Sequence, residues 1–588
     1  MNIRKNVLTE VAPRLNVLYN FVMSQLALFQ REPPAFPTNK QPADRRKLRG
    51  GYYTPFDLAR YLVQWGLRGD TRHILEPSCG DGNFLAAILH HLQTLNGSAP
   101  KPTPDIVAVE LDEVELHKAQ QRFKQLSGSD AAIEWLNADF FSAYSHLRQG
   151  KRFDLIVGNP PFIRFQHFDN DSREQAFSHL SAIGYNPTKL ANIWAAFVQL
   201  CLELLCVGGR LAMVLPAELL QVKYAQELRD RLTTNFDHIV IVGFKRLVFP
   251  EIQQEVVLLL AEGKRPQPGP TSDVHTIEFV DGEDLLQHEN VRQAVAHVPA
   301  RHSRPGMKWT SLFLDADSFA ALDMAAGAPG LTPLGALATV DVGIVTGRNS
   351  FFVLTEAQRA QLDVERLTKP IIGRTAALKT TRFMPEDFTQ YGQLYPAFLL
   401  NLTGVAAGRF SKALQDYLRD GERQQINLGY KCRIRQRWYD VPSIYTPDAF
   451  LFRQIHRYPL LVVNQAGATS TDTIHRVRLR PGVDVHRLAA AFFNSLTLSW
   501  AEVCGRSYGG GVLELEPREA EELPIPYHAN LPIDADKVAS LLAQGQPYEA
   551  LNYVDGVVLQ DYLGFDAMTR RRLRRAWEQL RDRRIERK

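Results

Sequence analysis

At 588 residues the chain exceeds what one ordinary hydrophobic core organises, so two large domains with smaller extensions are expected. Hydrophobic residues make up 45% and charged residues 22%, which excludes a fibrous or wholly disordered chain, and no apolar run approaches the ~18 residues of a membrane span. The net charge of +4 is neutral on a polyanionic partner, because clustering rather than total charge decides that.

Taken from its start, Met1 to Glu10 holds no apolar core of signal-peptide type, and a cytoplasmic protein with no membrane contact is expected. Val11, Leu15, Leu18, Phe21, Val22 and Leu26 have the spacing of one or two helices, broken by the proline-rich stretch from Pro33 to Pro42. From about 70 to 262 short apolar runs alternate with helical patterns: HIL at 73–75, IVAVEL at 106–111, FDLIVG at 153–158, RLAMVLP at 210–216, IVIVGF at 239–244 and VVLLLAE at 256–262. Continuously apolar strands separated by helices predict a mostly parallel sheet covered on both faces. Gly263–Asp273 and Ala300–Gly306 read as linkers, and beyond 306 the alternation gives way to mixed strands and long loops. The last segment reads as helical and ends in a basic run with ten Lys or Arg residues between Arg570 and Lys588. The expected divisions are a helical extension at 1–47, a catalytic α/β domain at 48–300, a mixed α+β domain at 301–530 and a basic helical extension at 531–588. Five cysteines (Cys79, Cys201, Cys206, Cys432, Cys504) are scattered, with no CxxC pair, so neither a disulfide framework nor a metal site is expected.

The first strand runs into Glu76-Pro77-Ser78-Cys79-Gly80-Asp81-Gly82-Asn83-Phe84 before a helix. Glycines at such a turn let the backbone approach a ligand, and the helix presents free N–H groups. The second strand ends in Glu110 and Asp112, where a carboxylate can accept from both hydroxyls of a ribose. The loop is not GxGxxG, so a ligand without a pyrophosphate is expected. Asn137-Ala138-Asp139-Phe140-Phe141 follows a third strand; Asp139 can accept from an adenine amine while Phe140 packs on its ring, which together describe an adenosine pocket. The fourth strand ends in Asn159-Pro160-Pro161-Phe162. Two prolines stiffen this turn, so the Asn159 amide and the Pro160 carbonyl can present two fixed acceptors to an aromatic –NH2 group while Phe162 stacks on the same ring.

With these residues in this order, the chain resembles the gamma-class (TaqI-type) N6-adenine-specific DNA methyltransferases over about residues 48 to 526. Gly50-Gly51-Tyr52-Tyr53-Thr54-Pro55 resembles the first motif of that family, with Tyr53, Thr54 and Pro55 near the methionine part of the methyl donor. EPSCGDGNF, VAVELD, NADFF and VGNPPF resemble the next four motifs. The resemblance implies a Rossmann-like S-adenosyl-L-methionine-dependent domain, a C-terminal target-recognition domain, double-stranded DNA as substrate and base flipping. It also implies that Phe197 packs against the donor adenine and that Phe249 sandwiches the target base opposite Phe162. Gly343 to Asn349 with Phe351-Phe352, and Gly509 to Leu515, resemble signatures of the recognition domain.

For DNA contact the basic, aromatic-interleaved stretch offers Arg423, Lys431, Arg433, Arg435 and Arg437 beside Tyr430 and Trp438, with Arg348, Asn464 and Gln465 as candidate base readers and the basic tail as a second patch. Blander readings stand beside these: a helix cap for Glu110 or Asp139, core packing for Phe197, Phe249 and Cys79, and a solvated or partner-binding helix for the tail. The expected role is the modification part of a restriction-modification or related defence system. The alternatives are an N4-cytosine methyltransferase, or a DNA-binding modification subunit working with a separate nuclease. A large second half counts against a glutamine methyltransferase, and no nuclease motif is evident in the chain.

Overall fold

The apolar runs become strands of one large sheet in a computed structural model, which describes residues 54–95, 103–127, 133–168, 170–188, 191–249, 254–288, 294, 297–508 and 510–587. The helical extension expected at 1–47 lies outside the described residues, as does Tyr53. The described residues fall within one unit, Tyr52–Lys588.

Helix α1 (Phe56–Gly66) leads into β1 (His73–Glu76), α2 (Asn83–Leu95), β2 (Asp105–Glu110), α3 (Glu113–Ser127), β3 (Ile133–Asn137), α4 (Phe140–Gln149) and β4 (Phe153–Gly158). Then come α5 (Asn170–Ala182), α6 (Ile193–Leu204), β5 (Leu205–Pro216), α7 (Gln226–Asn235), β6 (Phe236–Phe244), β7 (Val256–Lys264), β8 (Asp273–Phe279) and β9 (Arg301–His302). The nine strands lie in the order β3-β2-β1-β4-β5-β7-β6-β8-β9. Strands β1 to β5 are parallel, β7 runs antiparallel between β5 and β6, and β9 closes the far edge antiparallel to β8.

Both faces are buried, which is why the strands read as continuous apolar runs. Ile74 and Leu155 point into one core cluster while their neighbours Leu75 and Ile156 point into the other, the two-residue period of a strand. Asp154 is the polar exception in β4: its carboxylate accepts from the backbone N–H of Arg72 (2.7 Å) and His73 (2.9 Å) and fixes the start of β1. Chain order reverses between β1 and β4, so a crevice opens beyond their carboxyl ends, the usual ligand position in open α/β sheets.

Beyond the sheet follow α8 (Ala316–Ala326), β10 (Ala338–Asp341), β11 (Arg382–Phe383), α9 (Lys412–Arg423), the single turn α10 (Tyr430–Arg433), β12 (Ala449–Phe452), β13 (Leu461–Asn464), β14 (Ile474–Leu479), α11 (Ser495–Cys504) and α12 (Ala567–Ile585). A five-stranded mixed sheet, β10-β14-β12-β13-β11, anchors this half, with smaller sheets around it. The tail is not a free extension: Leu573, Ala576, Trp577 and Leu580 of α12 are buried in one core with Leu322 of α8 and Val503 of α11. Among the described residues no helix is long and apolar enough to cross a membrane.

Candidate active site at the sheet edge

The loop after β1 is built as a ligand cradle. Gly80 and Gly82 adopt φ of +51° and +84°, and a Cβ on Gly82 would lie 2.9 Å from Ala119 of α3, so only glycine lets α2 begin there. The Cys79 N–H donates to the Val109 carbonyl (2.9 Å) and the Gly80 N–H to Glu110 Oε2 (2.9 Å), which ties the loop to the end of β2. Glu110 Oε1 also accepts from the Asp112 N–H (2.8 Å), while Asp112 Oδ1 accepts from Val114 N–H at the start of α3. The Asn83 amide donates to the Thr54 carbonyl (2.9 Å), which brings Thr54 and Pro55 to the same loop. Cys79 is buried and burial pushes its thiol up, so it stays protonated and packs.

Glu76 is the electrostatic centre of this cradle. It is 1% exposed, its Oε2 has no hydrogen-bond partner among the described residues, and burial, reinforced by the charges of Glu110 and Asp81, holds its carboxyl well above the usual range. The buried Thr54 hydroxyl likewise has no partner among the described residues. A ligand carrying positive charge and hydrogen-bonding groups meets both needs, and S-adenosyl-L-methionine, with its ammonium and sulfonium centres, fits.

At the next strand, Asp139 caps α4, Oδ1 accepting from Phe141 N–H (2.9 Å) and Ser142 N–H (3.4 Å). Phe140 is buried and stacks on Phe197 of α6, centroids 4.5 Å apart and planes 24° apart. No slot separates these rings, so a donor adenine has to lie along one outer face or part them. Asn192 caps α6 through its side chain.

The turn after β4 is held from two sides. The Ser78 hydroxyl donates to the Asn159 carbonyl (3.1 Å), and a Cβ on Gly158 would lie 3.4 Å from Pro77, so the donor loop and Asn159-Pro160-Pro161-Phe162 touch. Beyond it, the Phe165 N–H donates to the Ala191 carbonyl (3.1 Å) and the Ile193 N–H to the Ile163 carbonyl (2.8 Å), joining the turn to the start of α6. Phe162 is half-buried and packs against both core clusters; Phe249 is buried within one of them. Sequence reading placed Ser78 against the donor; that its hydroxyl fixes Asn159 depends on a contact 81 residues away in the chain.

The DNA-contact candidates divide. Arg348, Arg423, Lys431 and Arg433 are exposed. Arg435 and Arg437 are half-buried, and their guanidinium groups are held by acceptors of the protein itself. Arg435 donates to the carbonyls of Trp438 (3.3 Å), Val345 (3.1 Å) and Thr346 (2.8 Å). Arg437 forks onto Asp440 (2.7 and 2.9 Å) and donates to the carbonyls of Val405 (2.7 Å) and Leu402 (2.9 Å). The Asn464 amide is similarly used on Pro447 and Ala468, while Gln465 is exposed. Four tail arginines turn inward, Arg574 pairing with Asp555, Arg584 with Glu502, and Arg583 and Arg587 with Glu255 and Glu278, while the exposed Arg575 pairs with Asp315. Among the described residues no group of three His, Cys, Asp or Glu is placed to hold a metal.

A mostly parallel sheet with β7 reversed between β5 and β6, a glycine loop beside an acidic strand end and a rigid Asn-Pro-Pro-Phe turn at the switch point define a class I S-adenosyl-L-methionine-dependent methyltransferase. Residues 94–249 match the family described as Eco57I restriction-modification methylase, and residues 306–559 the family described as Type II methyltransferase M.Eco57I, C-terminal domain. Type II methyltransferase M.AccI of Acinetobacter calcoaceticus is 22% identical over 490 residues, covering 81% of this chain and 85% of that one. Type II methyltransferase M.XamI of Xanthomonas campestris pv. amaranthicola is 23% identical over 496 residues, covering 82% and 86%. The type IIG restriction endonuclease BpuSI is similar in structure at 15% identity and TM-score 0.39, over 91% of this chain and 66% of that one. The two family matches follow one another along the two halves of the chain, which is thus a DNA methyltransferase similar to restriction-modification methylases of the Eco57I type.

Proposed function

We propose that this methyltransferase is of the gamma class and transfers a methyl group to the N6 amine of an adenine flipped out of double-stranded DNA. Residues 48–300 carry the chemistry and residues 301–530 select the site, in the modification part of a restriction-modification system. A nuclease on a separate chain is the partner this reading calls for, and the cytoplasm the setting. The observation that carries the reading is the Asn159-Pro160-Pro161-Phe162 turn, pinned through Ser78 to the loop that holds the orphaned Glu76.

The bound donor supplies an electrophilic methyl group on a positively charged sulfur. Glu76 would face that charge and Glu110 would hold the ribose, while the Glu110 carboxylate braces Gly80. Asn159 Oδ1 and the Pro160 carbonyl accept the two amine hydrogens, so the nitrogen lone pair turns out of ring conjugation and towards the methyl group. As the N–C bond forms the methyl–sulfur bond breaks and its electron pair stays on sulfur; the two acceptors favour the positive charge that develops on nitrogen, and one amine proton leaves to water. Phe162 and Phe249 replace the stacking lost on flipping, at about 1–3 kcal/mol for each base–aromatic contact.

The test is transfer of labelled methyl from the donor to unmethylated genomic duplex DNA. Wild-type protein is expected to label the duplex, and Asn159→Ala to lower the rate roughly 100-fold or more with donor affinity kept. Transfer to RNA or protein but not to duplex, or an active Asn159→Ala variant, would sink the proposal.

A further inference from the structure

Large apolar side chains exposed one at a time are ordinary on protein surfaces. Here three stand within seven residues: Leu428, Tyr430 and Ile434 are 59%, 65% and 61% exposed. Tyr430 and Ile434 are four residues apart across the turn of α10, so they share a side.

The backbone beneath them is fixed. Cys432 is buried, and Arg435 ties the turn to the carbonyls of Val345 and Thr346. Gly347, at φ +87°, brings the neighbouring loop so close that a Cβ there would lie 3.1 Å from the Lys431 Cβ and 3.3 Å from the Cys432 sulfur. The result is a stiff knob with an apolar tip, and stiffness spares the entropy a mobile loop would lose on docking.

Positive charge surrounds this tip. Lys431 and Arg433 sit between the apolar residues, and Arg348 follows the glycine that touches Lys431; all three are exposed, with no ion pair among the described residues. The nearby acids are occupied: Asp420 lies 3.8 Å from Arg423, and Glu422 accepts from the Trp438 indole (3.1 Å). Uncompensated cations flanking an apolar tip complement a polyanion whose interior is apolar.

The geometry points to this knob as a wedge that enters a groove of duplex DNA, with Leu428, Tyr430 and Ile434 against base edges and sugars and with Lys431, Arg433 and Arg348 on the bordering phosphates. The inference rests on the proposal that duplex DNA is the substrate, and it adds how part of the second half grips it.

The experiment compares wild type, Leu428→Ala/Tyr430→Ala/Ile434→Ala and Lys431→Ala/Arg433→Ala on sheared unmethylated genomic duplex, reading affinity against salt, KM for DNA, and donor affinity. The apolar triple variant is expected to bind duplex roughly 10- to 100-fold more weakly with the salt slope unchanged, and to raise KM for DNA with donor affinity intact. The charge variant is expected to lower the salt slope by about two. Tyr430→Ala alone, at an exposed site, reports the same direction if the triple variant folds poorly. A triple variant equal to wild type in duplex affinity and KM overturns the wedge alone. Wild-type protein that binds no duplex overturns both the wedge and the substrate proposal.

Discussion

Glu76 is a buried carboxyl with an unanswered oxygen, surrounded by the further acids Glu110 and Asp81, and ionising it alone is costly. Its raised pKa means that protonation competes with a cationic donor, so donor binding drives the proton off. The sign follows: acidification weakens donor binding, and at a pH between the free and bound values binding releases a proton. Calorimetry in two buffers of different ionisation heat is expected to show that release, and Glu76→Gln to abolish it and weaken donor binding about tenfold, near 1.4 kcal/mol. Equal heats in both buffers with a tightly binding Gln variant would contradict the role given to Glu76. Much of this site is legible in the sequence because its parts are local, a turn after each of four strands. Arg435 and Arg437 are not: an arginine interleaved with aromatics looks the same whether it meets phosphate or folds back onto carbonyls, and only the positions of Val345, Thr346, Leu402 and Val405 decide.

At the level of elements, the parallel strands are recoverable from their unbroken apolar runs, whereas α12 misleads. Its ten-cation tail suggests a DNA-binding surface, yet Leu573, Ala576, Trp577 and Leu580 recur at helical spacing, the signal of a packed face. Several of the cations then find partners, in both halves of the molecule. Arg584 meets Glu502 of α11 at 2.6 Å, both side chains nearly fully buried. On the same stretch Arg583 reaches Glu278 of β8 at 2.6 Å, and Arg587 donates to the Phe244 carbonyl at 2.9 Å. Gly243 leaves room for this, since a Cβ there would lie 3.2 Å from the Arg583 guanidinium. The helix thus staples the second half of the chain to the ends of β6 and β8 in the large sheet. Arg584→Ala strands a buried carboxylate and is expected to cost about 3–5 kcal/mol of stability in denaturant unfolding, while Arg584→Met with Glu502→Leu recovers most of it. An Arg584→Ala protein as stable as wild type would show the pair to be dispensable.

Across the whole molecule, the strand order and its switch point decide where chemistry happens. The loops after β1, β2, β3 and β4 meet at one edge of the sheet, and their contacts assemble a donor cradle beside a rigid pair of acceptors. The second half was legible only as mixed and loop-rich, because its short strands pair across long sequence separations, as β10 with β14 and β11 with β13. On the proposed reading target choice resides there, on loops whose placement no local pattern encodes. The central claim is that Asn159 and Pro160 present a flipped adenine to the donor. Digesting the methylated duplex to nucleosides and separating the labelled products checks this: label is expected in N6-methyladenine and is lost with Asn159→Ala, whereas label in N4-methylcytosine would overturn the base assignment.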